Sequence, residues 1–167
     1  MKRALLVLIS LSISVNAAAQ GSRRKETLKG LHGLHVVVEK LNPEIERDGL
    51  ATRQIQVDIE LRLRKAGITV FSQGEANKAD GPTVLHVTVD AVKGDDVLEN
   101  LYAVHMGVEL WQVVYLYRLE KSPAFAAATW TIRGTAFVGK EKLDAVRSYL
   151  ADQVDEFIND YLTANSK

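Results

Sequence analysis

Three histidines fall at alternating positions of three β-branched runs. His35 lies in "GLHVVVEKL", His86 in "TVLHVTVDAV" and His105 in "LYAVHMGVEL". Side chains of a strand point alternately to its two faces. If Leu34/Val36/Val38, Leu85/Val87/Val89 and Val104/Met106/Val108 face a core, the three imidazoles share the opposite face. Three imidazoles, with Asp90 or Glu109 as a fourth group, form a donor set that zinc or copper accepts. No pair of these ligands has the close spacing of a recognisable metal motif, and histidine is also an ordinary polar residue on a solvent-facing sheet. No metal and no cofactor is therefore assigned; His35, His86 and His105 carry the alternative, a metal-binding protein.

A second constellation is "WQVVYLYRL". In one strand phase, Trp111, Val113, Tyr115 and Tyr117 point the same way, beside Thr129, Thr131 and Arg133 if the next run forms a hairpin with this one. Burying a large apolar side chain is worth roughly 1.5–3 kcal/mol, so an uncovered aromatic row marks a contact surface. The row is expected to meet an envelope protein or a second copy of the chain. If the sheet curls or a loop folds over it, the same rings belong to the core.

Other chemistries find less support. There is no cysteine, which removes thiol catalysis, cysteine-zinc sites and disulfide redox work. Ser122 and Ser148 lack a glycine elbow, and no phosphate-binding or dinucleotide glycine loop is present. "NPEIERDGL" is acidic without calcium-loop spacing and reads as a solvated turn. Glu141, Asp144, Asp152, Asp155, Glu156 and Asp160 read as the charged outer face of a helix. A hydrolase using histidine and carboxylates, His105 and Glu109 among them, requires little more than two well-placed titratable groups and stands third.

The elements that must position these residues follow from periodicity. "RQIQVDIELRLRKAGITVF" places apolar residues at every second position from Ile55 through Leu63, the spacing of a strand. It is nevertheless built from helix formers and closes on basic residues and Gly67, which signals a helix ending in a glycine cap. Thr52 is the expected N-cap. As a helix it presents Ile55, Ile59, Leu63 and Ala66 as one stripe, with Val57 and Leu61 on another side; a strand remains the alternative. Residues 68–71 read as a strand, "SQGEANKADGP" as a loop, "TVLHVTVDAV" as a strand and "KGDD" as a hairpin turn. "LYAVHMGVELWQVVYLYRL" is a long strand, bent or bulged, and "FAAATWTIRGTAFVG" is the last. From Glu141 the period changes, and Leu143, Val146, Leu150, Val154, Phe157 and Tyr161 define an amphipathic helix. The expectation is an α+β domain with a mainly antiparallel four- to five-stranded sheet, two helices on one face and the order β-α-β-β-β-β-α.

The first residues carry an address. Lys2 and Arg3 precede a run of apolar and small residues at 4–15, and Ala17, Ala18 and Ala19 offer a small-residue cleavage site. This is the pattern of a secretory signal peptide, residues 1–19. The run is too short and too broken by serines for a membrane span, so none is expected after cleavage. Residues 20–30 read as a flexible lead-in and 31–167 as one domain. Basic and acidic side chains balance at 21 each; loss of Lys2 and Arg3 leaves a slight acidic excess and no indication of a nucleic-acid partner.

"LRLRKAGITV" followed far downstream by "VDEFINDYL" resembles a group of small exported bacterial proteins of unknown function. The element order is similar to that of periplasmic accessory modules such as the lipopolysaccharide-assembly lipoprotein and the amino-terminal domain of the Tol translocation protein. The resemblance implies a non-catalytic envelope role and carries over no site residues. The lipid-attachment cysteine of the lipoprotein members is missing. The expected function is a periplasmic or secreted binding or assembly module, not an enzyme.

Overall fold

A computed structural model describes residues 23–79 and 81–166; the expected signal peptide lies outside the described residues. The protein is α+β with one four-stranded mixed sheet in the order β1-β2-β3-β4. The strands are β1 (His35–Val38), β2 (Val84–Lys93), β3 (Leu101–Val114) and β4 (Phe125–Gly139). β1 runs parallel to β2, while the β2/β3 and β3/β4 pairs are antiparallel. Residues 23–26 are helical, and the helices that follow β1 are α1 (Pro43–Arg47), α2 (Thr52–Lys65), α3 (Gln73–Ala76) and α4 (Asp144–Asn165).

Residues 53–65 are helical, which answers the ambiguity of that segment. Its alternating pattern has helical partners at i and i+4: Ile55, Ile59 and Leu63 are buried, whereas Val57 and Leu61 are half exposed. The helix closes as the glycine signal requires. Gly67 takes a positive φ of 81°, its N–H donates to the Arg64 carbonyl, and the Ile68 N–H reaches back to that of Leu63. These two bonds satisfy carbonyls that a helix end leaves orphaned. Thr52 is not the N-cap. Ala51 holds that place without a side-chain bond, and the Thr52 hydroxyl accepts from the Leu41 N–H while donating to Glu46.

Alternation fixes which side of the sheet is covered. Val36 on β1, Leu85, Val87 and Val89 on β2, Val104, Met106 and Val108 on β3, and Trp130 and Val138 on β4 are buried in one core with α2 and α4. From α4 come Val146, Leu150, Val154 and Phe157. Arg147 and Arg62 join the two helices through Asp58 and Asp155. Two helices on one face is thus the observed arrangement. Among the described residues, no helix is long and apolar enough to cross a membrane.

Several expectations need correction. Residues 68–71 are not a strand: Ile68 turns inward after Gly67, and only a single parallel bridge joins Leu34 to Val70. From β1 onward the order is therefore β-α-α-α-β-β-β-α, and the sheet is mixed because β1 reaches β2 by a helical crossover. "NPEIERDGL" contains α1, with Pro43 at its first position and Asn42 accepting from the Glu44 N–H. The supposed loop after Phe71 contains α3, opened by a capping box between Ser72 and Glu75. The lead-in is not loose over residues 23–30. Leu28 is fully buried, Thr27 donates to the Thr129 carbonyl, and Arg24 lies over the Trp130 ring. Composition gave no sign of this, because the partners are more than a hundred residues away.

Candidate functional site

The face opposite the helices carries His86, Thr88 and Asp90 of β2, His105, Glu109 and Trp111 of β3, and Arg133, Thr135 and Phe137 of β4. Register sets them in rows. His86 stands opposite Glu109, which stands opposite Thr131; Asp90 stands opposite His105, and His105 opposite Thr135.

The centre of this face is a fixed polar cluster. The Trp111 indole N–H donates to Glu109 Oε2 at 3.0 Å, and Arg133 donates from Nε to Oε1 at 2.8 Å and again from Nη2. Glu109 is only 6% exposed. Burial pushes its carboxyl pKa upward, but the Arg133 and Trp111 hydrogen bonds and the Arg133 charge outweigh this and hold it below its ordinary value. Gly107 makes room for the clamp. A Cβ there would lie 2.9 Å from Thr88 Oγ1 and 3.4 Å from Arg133 Cγ, so the arginine stem lies flat across a position without a side chain.

Around the cluster, exposed apolar side chains stand among the polar ones. Trp111 is 37% exposed with the His86 ring edge-on to it, centroids 6.4 Å apart. Its indole N–H is spent on Glu109 and its neighbour is an imidazole, so the ring is held in one orientation while much of its surface stays in water. Val92 and Phe137 on this face are also exposed, Phe137 by 75%. Tyr115 and Tyr117 are exposed too, but β3 ends at Val114, and they belong to the loop leading to β4 rather than to the row. A bulge between Leu110 and Trp111 shifts the β3/β4 register, setting Trp111 against Ala128 and taking Thr129 out of the row. Trp111 and Val113 lie in the strand phase of this face, whereas Tyr115 and Tyr117 are exposed in the loop.

The register does not bring the three histidines together. His86 and His105 are opposite Glu109 and Asp90, four residues apart along both strands, a separation of roughly 13 Å. His35 uses Nδ1 on the Phe71 carbonyl at 2.9 Å, His86 Nε2 lies 3.3 Å from Glu39, and His105 Nδ1 contacts Thr135 Oγ1 at 3.1 Å. Among the described residues, no group of three or more histidine, aspartate or glutamate side chains is arranged to hold a metal ion. His105 and Glu109 are likewise four residues apart on β3, and each is engaged with a different β4 side chain. A groove of about 500 Å³ on the helix side is lined by Asp58, Leu61, Arg62, Lys65 and Arg147, and in it Asp58 pairs with Arg147 and Arg62 with Asp155 across the two helices.

Phe137, Val92 and the Glu109–Arg133 clamp were not singled out from the sequence. The alternation of "TIRGTAFVG" contains the signal: once Trp130 points inward, Arg133, Thr135 and Phe137 must point outward. The chain matches no protein-family model, no curated protein and no solved structure.

Proposed function

We propose that the chain is an exported, non-catalytic module of the bacterial cell envelope that binds a partner protein through the uncovered sheet face. The signal-peptide pattern of residues 1–19 supports the address. The observation that carries the docking role is Trp111: a large ring, part exposed, immobilised by Glu109 and His86. An aromatic side chain already fixed before contact loses little rotamer freedom on binding, which makes it an efficient anchor. Val113 lies beside it, and Tyr115 and Tyr117 widen the surface at the loop.

The test is Trp111→Ala, scored twice. Crosslinks to an envelope protein formed in intact cells are expected to disappear, while thermal stability changes little. Crosslinks that persist in a destabilised variant would mean that the ring serves packing and that the interface lies elsewhere.

A further inference from the structure

β4 is the last strand of the sheet and is unusually long, running from Phe125 to Gly139; most strands have about 5–6 residues. Its inner edge pairs with β3. Its outer edge is engaged at one end only, where Arg24 Nη1 and Thr27 Oγ1 donate to the Thr131 and Thr129 carbonyls. Backbone groups of a strand point alternately to its two sides, so with the Thr131 carbonyl outward, those of Arg133, Thr135 and Phe137 are outward as well. The Lys140 N–H, donating inward to Asn100, keeps the same phase. Among the described residues, nothing accepts from or donates to the outward backbone groups of Arg133, Thr135 and Phe137. Such an edge is a template for another strand.

The side chains select which strand. If an antiparallel copy of β4 is laid beside it about a two-fold axis through Thr135, Arg133 faces Phe137 of the other copy, and Phe137 faces its Arg133. Thr135 faces Thr135. On the helix side Ile132 meets Val138, and Gly134 meets Ala136. A guanidinium beside an aromatic ring attracts, threonine pairs are favourable across strands, and no like charges stand opposite one another. Arg133 is well exposed beyond its bond to Glu109 and Phe137 is 75% exposed, so both are available. A second observation lies above the same seam. Gln153 of α4 is nine-tenths buried, its Nε2 sits 3.4 Å from where a Gly134 Cβ would be, and its Oε1 is buried without a partner. One turn away, Tyr149 is half exposed.

We infer that β4 is the seam of a symmetric homodimer, two copies pairing antiparallel through residues 133–137 into one continuous sheet. This is independent of the partner-docking reading: it uses the edge of the sheet, not the Trp111 end of its face.

The experiment is sedimentation equilibrium on the purified full chain with three variants. The wild type is expected to dimerise reversibly. Thr135→Pro removes an outward N–H that β3 does not use, a change that edge strands tolerate, and is expected to weaken the dimer by at least about tenfold. Phe137→Lys, which sets a cation opposite Arg133, is expected to weaken it, whereas Phe137→Glu is expected to preserve it. As a check free of folding effects, Thr135→Cys places one thiol in a chain with none. The hydrogen-bonded pairing holds the two Cα atoms about 5.5 Å apart, within disulfide range, so mild oxidation is expected to yield a covalent dimer. A wild type that stays monomeric, equal effects of Lys and Glu at position 137, or failure of the cysteine variant to crosslink would overturn the proposal.

Discussion

Trp130 and Trp111 sit on opposite faces of one sheet with the same local chemistry. Each indole N–H donates at 3.0 Å to a carboxylate that an arginine also holds: Asp160 with Arg24 for Trp130, Glu109 with Arg133 for Trp111. Their surroundings differ. Trp130 is 1% exposed, packed edge-on against Phe157 with Arg24 over its face. Trp111 keeps more than a third of its surface in water. The same hydrogen-bonded unit thus closes a core on one side of the sheet and, on the other, fixes an aromatic ring where something else could meet it.

The sharpest way to break this parallel is to remove each ring. Trp130→Ala is expected to cost about 3–5 kcal/mol, because it opens a cavity under α4. Trp111→Ala is expected to cost no more than about 1 kcal/mol, since little of the core depends on it. Urea unfolding of the two variants checks this, and equal losses would place Trp111 in the core.

The carboxylates should differ next. Asp160→Ala leaves Arg24, Lys25 and the Trp130 N–H without their shared acceptor beneath α4, an expected loss of roughly 3 kcal/mol. Glu109→Ala should cost about 1–2 kcal/mol, because Arg133 can turn to water. The second variant is also expected to free the Trp111 ring, visible as altered indole fluorescence, and to weaken docking.

Acid sensitivity sharpens the comparison. Burial raises the pKa of both Asp160 and Glu109, but hydrogen bonds and neighbouring cations more than reverse this, and both end below their ordinary values. The unfolded chain therefore takes up protons first as pH falls. The stability these groups contribute is complete above roughly pH 5, and it is lost as pH drops through the lower native values. Asp160→Asn should flatten that acid limb more than Glu109→Gln. Asp48, lowered to about 2 by the Tyr102 hydroxyl and then by Lys140, extends the limb further. Melting curves between neutral pH and the acid transition give the readout.

The smallest expected effect is at Tyr117, fully exposed in the β3–β4 loop. Tyr117→Ser should change stability by less than about 0.5 kcal/mol and weaken docking only modestly. A large loss of docking there would move the centre of the surface from the sheet to the loop.

Local periodicity made much of the fold legible. The α4 stripe from Val146 to Phe157, the Gly67 stop and the inward phase of Leu85, Val87 and Val89 are all written within a few residues of one another. The same phase put Trp111 on the uncovered face. Pairing over long sequence distances was not legible. Arg24 and Lys25 gave no local hint that Asp160 and Trp130 would hold them, so a packed segment read as a lead-in. The bulge at Leu110/Trp111 and the end of β3 at Val114 depend on how β4 meets its neighbour, so Tyr115 and Tyr117 could not be separated from the row by alternation alone. The histidines shared a face as phase required, but strand register, which sequence did not supply, set them apart.

A photoreactive residue substituted at position 111, compared with one at position 57 on the helix side, addresses the docking surface without relying on stability. In intact cells, irradiation is expected to link position 111 to a single envelope protein and to leave position 57 unlinked. No adduct at position 111, or the same adduct at both positions, would contradict a partner seated on the open face.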